Sequence, residues 1–355
     1  MPLKMPSIMR RTEFLKLFTR GAGVFAVLFA TQFVAAQIPT VADHTLSDWL
    51  LRLHQASVQK RAYIGTFVVS AGSNMSSARI WHICEGDQQM ERVENLTGAP
   101  RSTFRHNMQV VTFLPEAKLA RAEKRESLGL FPELLKGNGS SIPEFYSARA
   151  VGTERVAGLD ADVMQLQPRD ALRFGYRVWT EKKTGLVVKL QTLDAAGKVL
   201  EQAAFSELQL DAPVRMEKLA QMMASTEGYK VESSELVKTT AQAEGWTLRG
   251  SVPGFVPMSC YKRPQANGAG GSGGAAAPTM QWIFSDGLAS VSLFVEPLDR
   301  QRHTQEAMAS VGATQTLTRR LEDPASKSEW WLTAVGEVPI STLRTFATAL
   351  ERKPK

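Results

Sequence analysis

Between Tyr63 and Leu114 the chain alternates apolar and polar residues over short runs that small turn-forming residues interrupt. In Tyr63-Ile64-Gly65-Thr66-Phe67-Val68-Val69, the side chains of Tyr63, Phe67 and Val69 fall on one side of an extended backbone. Further runs cover Arg79–Ile83, Gln88–Asn95, Arg101–His106 and Met108–Leu114, with Ala71-Gly72-Ser73-Asn74 and Glu85-Gly86-Asp87 as turns. Period two with β-branched and aromatic residues predicts an antiparallel meander with one buried face. That face must meet a second sheet, a lid of helices or a ligand, so its cover bears on function.

Strands resume at Tyr146–Val156, Ala161–Gln167, Tyr176–Glu181, Leu186–Leu193 and Val199–Leu210. Lys182-Lys183-Thr184-Gly185 and Asp194-Ala195-Ala196-Gly197-Lys198 read as hairpin turns. Ten or eleven strands of this kind predict a large, strongly curved antiparallel sheet, closed as a barrel or left open under helices. Thr45–Leu53 reads as a covering helix, with Thr45 as N-cap and Leu46, Trp49, Leu50 and Leu53 as its stripe. Pro115–Ser141 is charged, then apolar at Leu128–Leu135, then glycine-rich, which fits either a mobile flap or a plain covering helix. Pro213 ends the sheet, and Val214–Lys238 reads as a polar, partly helical bridge with Met216, Leu219, Ala220 and Met223 on one face.

A second set of strands follows at Gly245–Leu248, Ser251–Met258, Ser259–Arg263, Met280–Phe284 and Ala289–Val295. Ser285-Asp286-Gly287 is a hairpin turn, Gln265–Pro278 a floppy glycine- and alanine-rich tip, and His303–Ala309 a short helix. Trp330–Val335 is the last strand, and Ile340, Leu343, Phe346, Ala347 and Leu350 stripe a helix after Pro339. The class is α+β: an unclosed, strongly curved sheet with covering helices, plus a smaller α+β domain. Residues 37–213, 214–242 and 243–355 are the expected large domain, linker and small domain.

Residues 1–36 read as a cleaved export signal: basic residues, an apolar stretch Gly21–Val34, and small residues at Val34-Ala35-Ala36. The apolar stretch is short of the ~20 residues a membrane span needs. Lys4, Arg10, Arg11, Lys16 and Arg20 against Glu13 supply +4 of the formal +7, and the remaining +3 carries no basic run suited to nucleic acid. Export permits a disulfide between Cys84 and Cys260, but they fall in different expected domains and read as separate thiols. The histidines His44, His54, His82, His106 and His303 have no metal-ligand spacing, although His82 and His106 could be sheet neighbours. No nucleophile elbow or phosphate loop occurs, so the sequence points to no metal, no cofactor and no catalysis.

Three stretches resemble the RseB/MucB family, the sigma-E factor regulatory proteins: Ala62–Val68, Gln281–Glu296 and Val335-Gly336-Glu337-Val338-Pro339. The resemblance implies a periplasmic protein whose large domain is similar to lipoprotein-carrier folds of the LolA/LolB type. It implies binding to the periplasmic part of an anti-sigma factor, protection of that factor from site-1 proteolysis, and release on meeting lipid or lipopolysaccharide. The expected cavity lining is Tyr63, Phe67, Trp81, Phe104, Phe113, Phe131, Leu134 and Trp179. The expected partner surface draws on Met216, Met223, Trp246, Trp282, Phe284 and Phe294. Self-association stays open. A periplasmic lipid or lipoprotein carrier is the competing reading.

Overall fold

The computed structural model describes residues 41–58, 61–124, 131–135, 141–234, 236–263, 278–322 and 327–353. The export signal, the apolar residues Leu128 and Leu130 of the flap, and nearly all of the glycine-rich tip lie outside them.

The meander forms as its alternation predicts. Strands β1 (Tyr63–Ala71), β2 (Asn74–Glu85), β3 (Gln88–Asn95), β4 (Ser102–His106) and β5 (Gln109–Leu114) pair in sequence. Charged Leu119–Lys124, read from sequence as part of the flap, is instead a sixth strand, β6, paired with β5. The chain then moves to the far edge. Strands β7 (Tyr146–Val156), β8 (Leu159–Pro168), β9 (Gly175–Glu181), β10 (Val187–Leu193) and β11 (Val199–Leu210) wind back until β11 pairs with β1. The two half-sheets thus share a central seam at β1–β11, while the outer edges stay unpaired with each other. The large sheet is unclosed.

Helix α1 (Val41–Val58) lies against β7 and buries Leu46, Trp49, Leu50 and Leu53. It begins before Thr45, so Thr45 is an internal helical residue and not the N-cap. After β11, helix α2 (Met216–Ala224) crosses β2, β3 and β4 on the sheet's other side, with Leu219 buried. The bridge then does something its polarity concealed. Lys230–Ser234 becomes β12, pairing in parallel with β6, so the linker finishes the large sheet instead of hanging free.

At the seam Gly65 meets the Phe205 ring. A Cβ built at Gly65 would stand 2.4 Å from the Phe205 ring carbon Cε1, where no side chain fits. Phe205 cannot retreat, because Tyr63, Phe67 and Phe131 surround it at ring-centroid distances of 6.3, 6.2 and 4.9 Å. Gly65→Val should therefore cost about 1–3 kcal/mol by overpacking. A urea midpoint equal to that of the natural chain would contradict this packing.

The small domain holds a seven-stranded sheet. In spatial order it comprises β13 (Val237–Lys238), β15 (Val256–Arg263), β16 (Thr279–Ser285), β17 (Ser290–Pro297), β20 (Glu329–Gly336), β19 (Thr314–Glu322) and β18 (Ala307–Val311). Strand β14 (Trp246–Leu248) pairs separately with β21 (Leu350–Arg352). Helix α3 (Ile340–Ala349) buries Leu343, Phe346 and Ala347 against one face. Two expectations need correcting here. Residues 251–255 form a turn, and the strand starts at Val256. The helix expected at His303–Ala309 is absent, because Ala307–Val311 pairs with β19 as an edge strand. His303 belongs to a turn, where its Nδ1 accepts the Asp299 amide and its ring stacks on Trp331 at 4.8 Å.

Candidate functional site at the domain joint

Directly paired residues share a face, so register sorts the expected cavity lining. Tyr63 pairs with His82, which pairs with Glu91, which pairs with Arg105. Phe67 pairs with Phe205, and this α1-side face also carries Ala203, Leu190 and Val178. Phe131 and Leu134 are buried on it, with the Phe131 ring 5.6 Å from Phe67. Four expected lining residues therefore converge: Tyr63, Phe67, Phe131 and Leu134.

Trp81, Phe104 and Phe113 do not join them. Trp81 pairs with Arg92 and Arg92 with Phe104, which places Trp81 and Phe104 on the opposite face beneath α2. Phe113 lies there too, 5.7 Å from Phe104. Trp179 adjoins Val178 in one strand and so faces the other way there, but it is buried in the same core cluster as Tyr63, Phe67, Phe131 and Leu134, with its Nε1 donating to Glu154 at 2.8 Å. Alternation alone could not number the faces across the bulges in these strands.

The expected partner residues divide as well. Met216 and Met223 are half-buried and pack on the Phe104–Phe113 cluster. Trp246, Trp282 and Phe284 are core residues of the small domain. Phe294 is different. It pairs with Gln281 and Thr333 on the sheet face away from α3, where Ile283, Ser292 and Val335 are also only half-buried.

The residues that join the two sheets were not singled out from sequence. The turn between β16 and β17, Ser285-Asp286-Gly287-Leu288-Ala289, enters the large domain. Leu288 is 2% exposed and belongs to the large sheet's core cluster. Asp286 is fully buried beside Arg173, their side chains both 0% exposed. Its Oδ1 accepts the Leu288 and Ala289 amides at 2.9 and 2.8 Å, which shapes the turn. Its Oδ2 accepts the Tyr146 hydroxyl at 3.1 Å and Arg173 Nη1 at 3.2 Å. Arg173 also donates to Asp170 and to the Pro253 carbonyl, with the Phe145 and Phe255 rings against its guanidinium.

This crowding leaves no room at Gly254, whose φ is +80°. A Cβ there would lie 2.8 Å from Arg173 Nη1 and 2.9 Å from the Phe145 ring. Burial pushes the Asp286 carboxyl above its ordinary range, against the pull of the two amides and Arg173. Burial likewise pushes the Tyr146 hydroxyl well up, so it remains a donor. Secondary contacts widen the joint: Thr342 Oγ1 donates to the Leu172 carbonyl at 2.7 Å, and the Ala313 amide donates to Glu201 at 3.3 Å. The one legible hint was Leu288, an apolar residue in a tight polar turn, which is out of place unless the turn is buried.

Elsewhere, a polar cleft of about 160 Å³ between the end of α1 and the β9–β10 turn is lined by Arg52, Glu181, Lys182 and Thr184 among others. It falls short of the ~300–1,000 Å³ typical of ligand pockets. Among the described residues no group of His, Cys, Asp or Glu could hold a metal ion, and no helix is long and apolar enough to cross a membrane. His82 and His106 are not direct neighbours, because β3 lies between their strands. Both cysteines are free thiols.

Comparison with known proteins covers both halves of the chain. A family model described as the MucB/RseB N-terminal domain matches residues 45–223, and one described as the MucB/RseB C-terminal domain matches 240–351. The sigma factor AlgU regulatory protein MucB of Pseudomonas aeruginosa is 30% identical over 316 residues, covering 88% of this chain and 93% of that protein. The sigma-E factor regulatory protein RseB of Salmonella typhimurium is 24% identical over 335 residues, covering 91% of this chain and 97% of that protein. A crystal structure of MucB in complex with MucA(peri) superposes with a TM-score of 0.64 at 27% identity, over 87% of this chain and 99% of that one.

Proposed function

The chain belongs to the MucB/RseB family, and from that premise we propose that it binds the periplasmic region of a membrane-spanning anti-sigma factor. In this reading residues 1–36 direct it to the periplasm, bound chain shields the anti-sigma factor from its first protease, and lipid or lipopolysaccharide releases it. The observation that carries the reading is the burial of the Ser285–Ala289 turn inside the large sheet's core. A ligand that alters the large domain near that core acts on the small domain through the same turn, which a two-part sensor requires.

The lipid arm rests on Phe131 and Leu134. They occupy the α1-side face, so an acyl chain enters by displacing them. Burying about a dozen methylenes yields roughly 10 kcal/mol gross at ~0.8 kcal/mol each. That exceeds both the ~3–5 kcal/mol lost when a buried aromatic leaves its site and the few kcal/mol needed to shift a two-state arrangement. Phe131→Asp, at equal folding, should blunt the release of bound partner by lipid. Full release by the variant would move the lipid site elsewhere.

The partner arm rests on the half-buried sheet face around Phe294. An aromatic centred on such a face has the placement of an interface hot spot, whose truncation costs ~2 kcal/mol or more. Phe294→Asp should weaken binding of the anti-sigma periplasmic segment by more than roughly tenfold. Unchanged affinity would put the contact on another surface. The carrier reading predicts bound lipid but no affinity for that segment, so the same titration separates the two.

A further inference from the structure

A chain of polar contacts runs across the α1-side face. Arg105 Nε donates to Glu91 Oε2 at 2.8 Å, Glu91 Oε1 faces His82 Nδ1 at 2.8 Å, and His82 Nε2 faces Cys84 Sγ at 3.4 Å. A carboxylate only accepts hydrogen bonds, so the His82 Nδ1 carries a proton. Gln89 Nε2 donates to the same Glu91 oxygen at 3.1 Å, and the Tyr63 ring stacks on His82 at 4.7 Å. Arg105 and Glu91 are 6% and 9% exposed and His82 is 8% exposed, whereas Cys84, at the strand end, is half-buried and reachable. The sulfur is one end of an ordered base–orienter series, the arrangement that activates nucleophilic thiols.

We propose that Cys84 is a reactive thiol, oriented by His82, Glu91 and Arg105, that forms mixed disulfides with small disulfide compounds. Burial alone pushes the His82 imidazole down, but its hydrogen bonds with Cys84 and Glu91 and the charge of Glu91 raise it to about 9. An imidazolium therefore directs Nε2–H at Sγ and stabilises negative charge as it builds there. The deprotonated Sγ attacks one sulfur of the disulfide, forming a new S–S bond. The old S–S bond breaks, and the departing thiolate takes the proton from His82 Nε2, leaving neutral imidazole. No second thiol resolves the product: Cys260 lies in the small-domain core, where burial pushes it up to about 11. The adduct would sit on the face that holds Tyr63 and Phe131, at the edge of the surface the lipid reading uses.

The probes are dithiodipyridine and oxidised glutathione, applied to residues 37–355 carrying Cys260→Ser so that Cys84 alone reports. The expected result is modification of Cys84 by both, confirmed by mass spectrometry. Its rate should fall roughly tenfold or more in His82→Gln and substantially in Glu91→Gln. Because those variants can loosen the sheet, the rate of the Cys260→Ser protein unfolded in urea is a second measurement that changes no relay residue. At one pH the folded protein should react roughly tenfold faster than the unfolded one. A folded protein no faster than the unfolded one, a Cys84 silent to both probes, or an unchanged rate in a folded His82→Gln variant would each overturn the proposal.

Discussion

Replacing Asp286 by alanine should lower stability by about 3–5 kcal/mol, the usual cost of removing one partner from a buried ion pair. The expected loss is large because Asp286 serves four donors at once: the Leu288 and Ala289 amides, the Tyr146 hydroxyl and Arg173. Without the carboxylate the turn loses its shape and the guanidinium loses an acceptor in a site with no solvent. For a protein of this size the melting temperature should drop by roughly 10 °C. Asp286→Asn keeps an acceptor for the turn but removes the charge facing Arg173, and should fall between the two. Arg173→Ala should resemble Asp286→Ala, and the double variant should cost less than the sum, since each single change already breaks the same network. Thermal melts of the four proteins check this. A melt of Asp286→Ala within ~1 kcal/mol of the natural chain would mean the joint is held by Leu288 and its apolar neighbours alone.

Stability should also depend on pH through the His82–Glu91 pair. His82 is raised from 6.5 to about 9, so its contribution is complete below pH 6.5 and disappears as pH climbs toward 9. Glu91 is lowered from 4.5 to about 2, since its hydrogen bond with His82 and the charge of Arg105 outweigh burial, which alone would raise it. Its contribution is complete above pH 4.5 and disappears as pH falls toward 2. The result is a plateau between those limits with a loss of up to about 3 kcal/mol on each side. The two losses describe one shared ion pair and are not to be summed. Urea midpoints at a series of pH values measure it. His82→Gln should flatten the alkaline limb, and an equally steep alkaline limb in that variant would assign the dependence to other groups.

The meander was legible because Tyr63, Gly65 and Phe67 alternate cleanly with half-buried neighbours. Strand β6 was hidden because Arg121, Glu123 and Lys124 give an edge-like strand no apolar period, and β12 because its parallel partner is over a hundred residues away. The same non-locality hid the joint. Asp286 and Gly287 look like any hairpin turn, and nothing near Arg173 in sequence announces that Pro253 and Asp286 will meet it. Tyr63 and Phe67 against Trp81 and Phe104 illustrate a further limit. All four read as buried aromatics, but only strand register tells which face each occupies.

The most direct measurement of the account is a calorimetric titration of residues 37–355 with the periplasmic segment of the cognate anti-sigma factor, repeated after loading with lipopolysaccharide. The account predicts saturable binding that lipopolysaccharide weakens by at least roughly tenfold, about 1.4 kcal/mol of coupling. Binding of equal strength with and without lipopolysaccharide, or no binding at all, would contradict it.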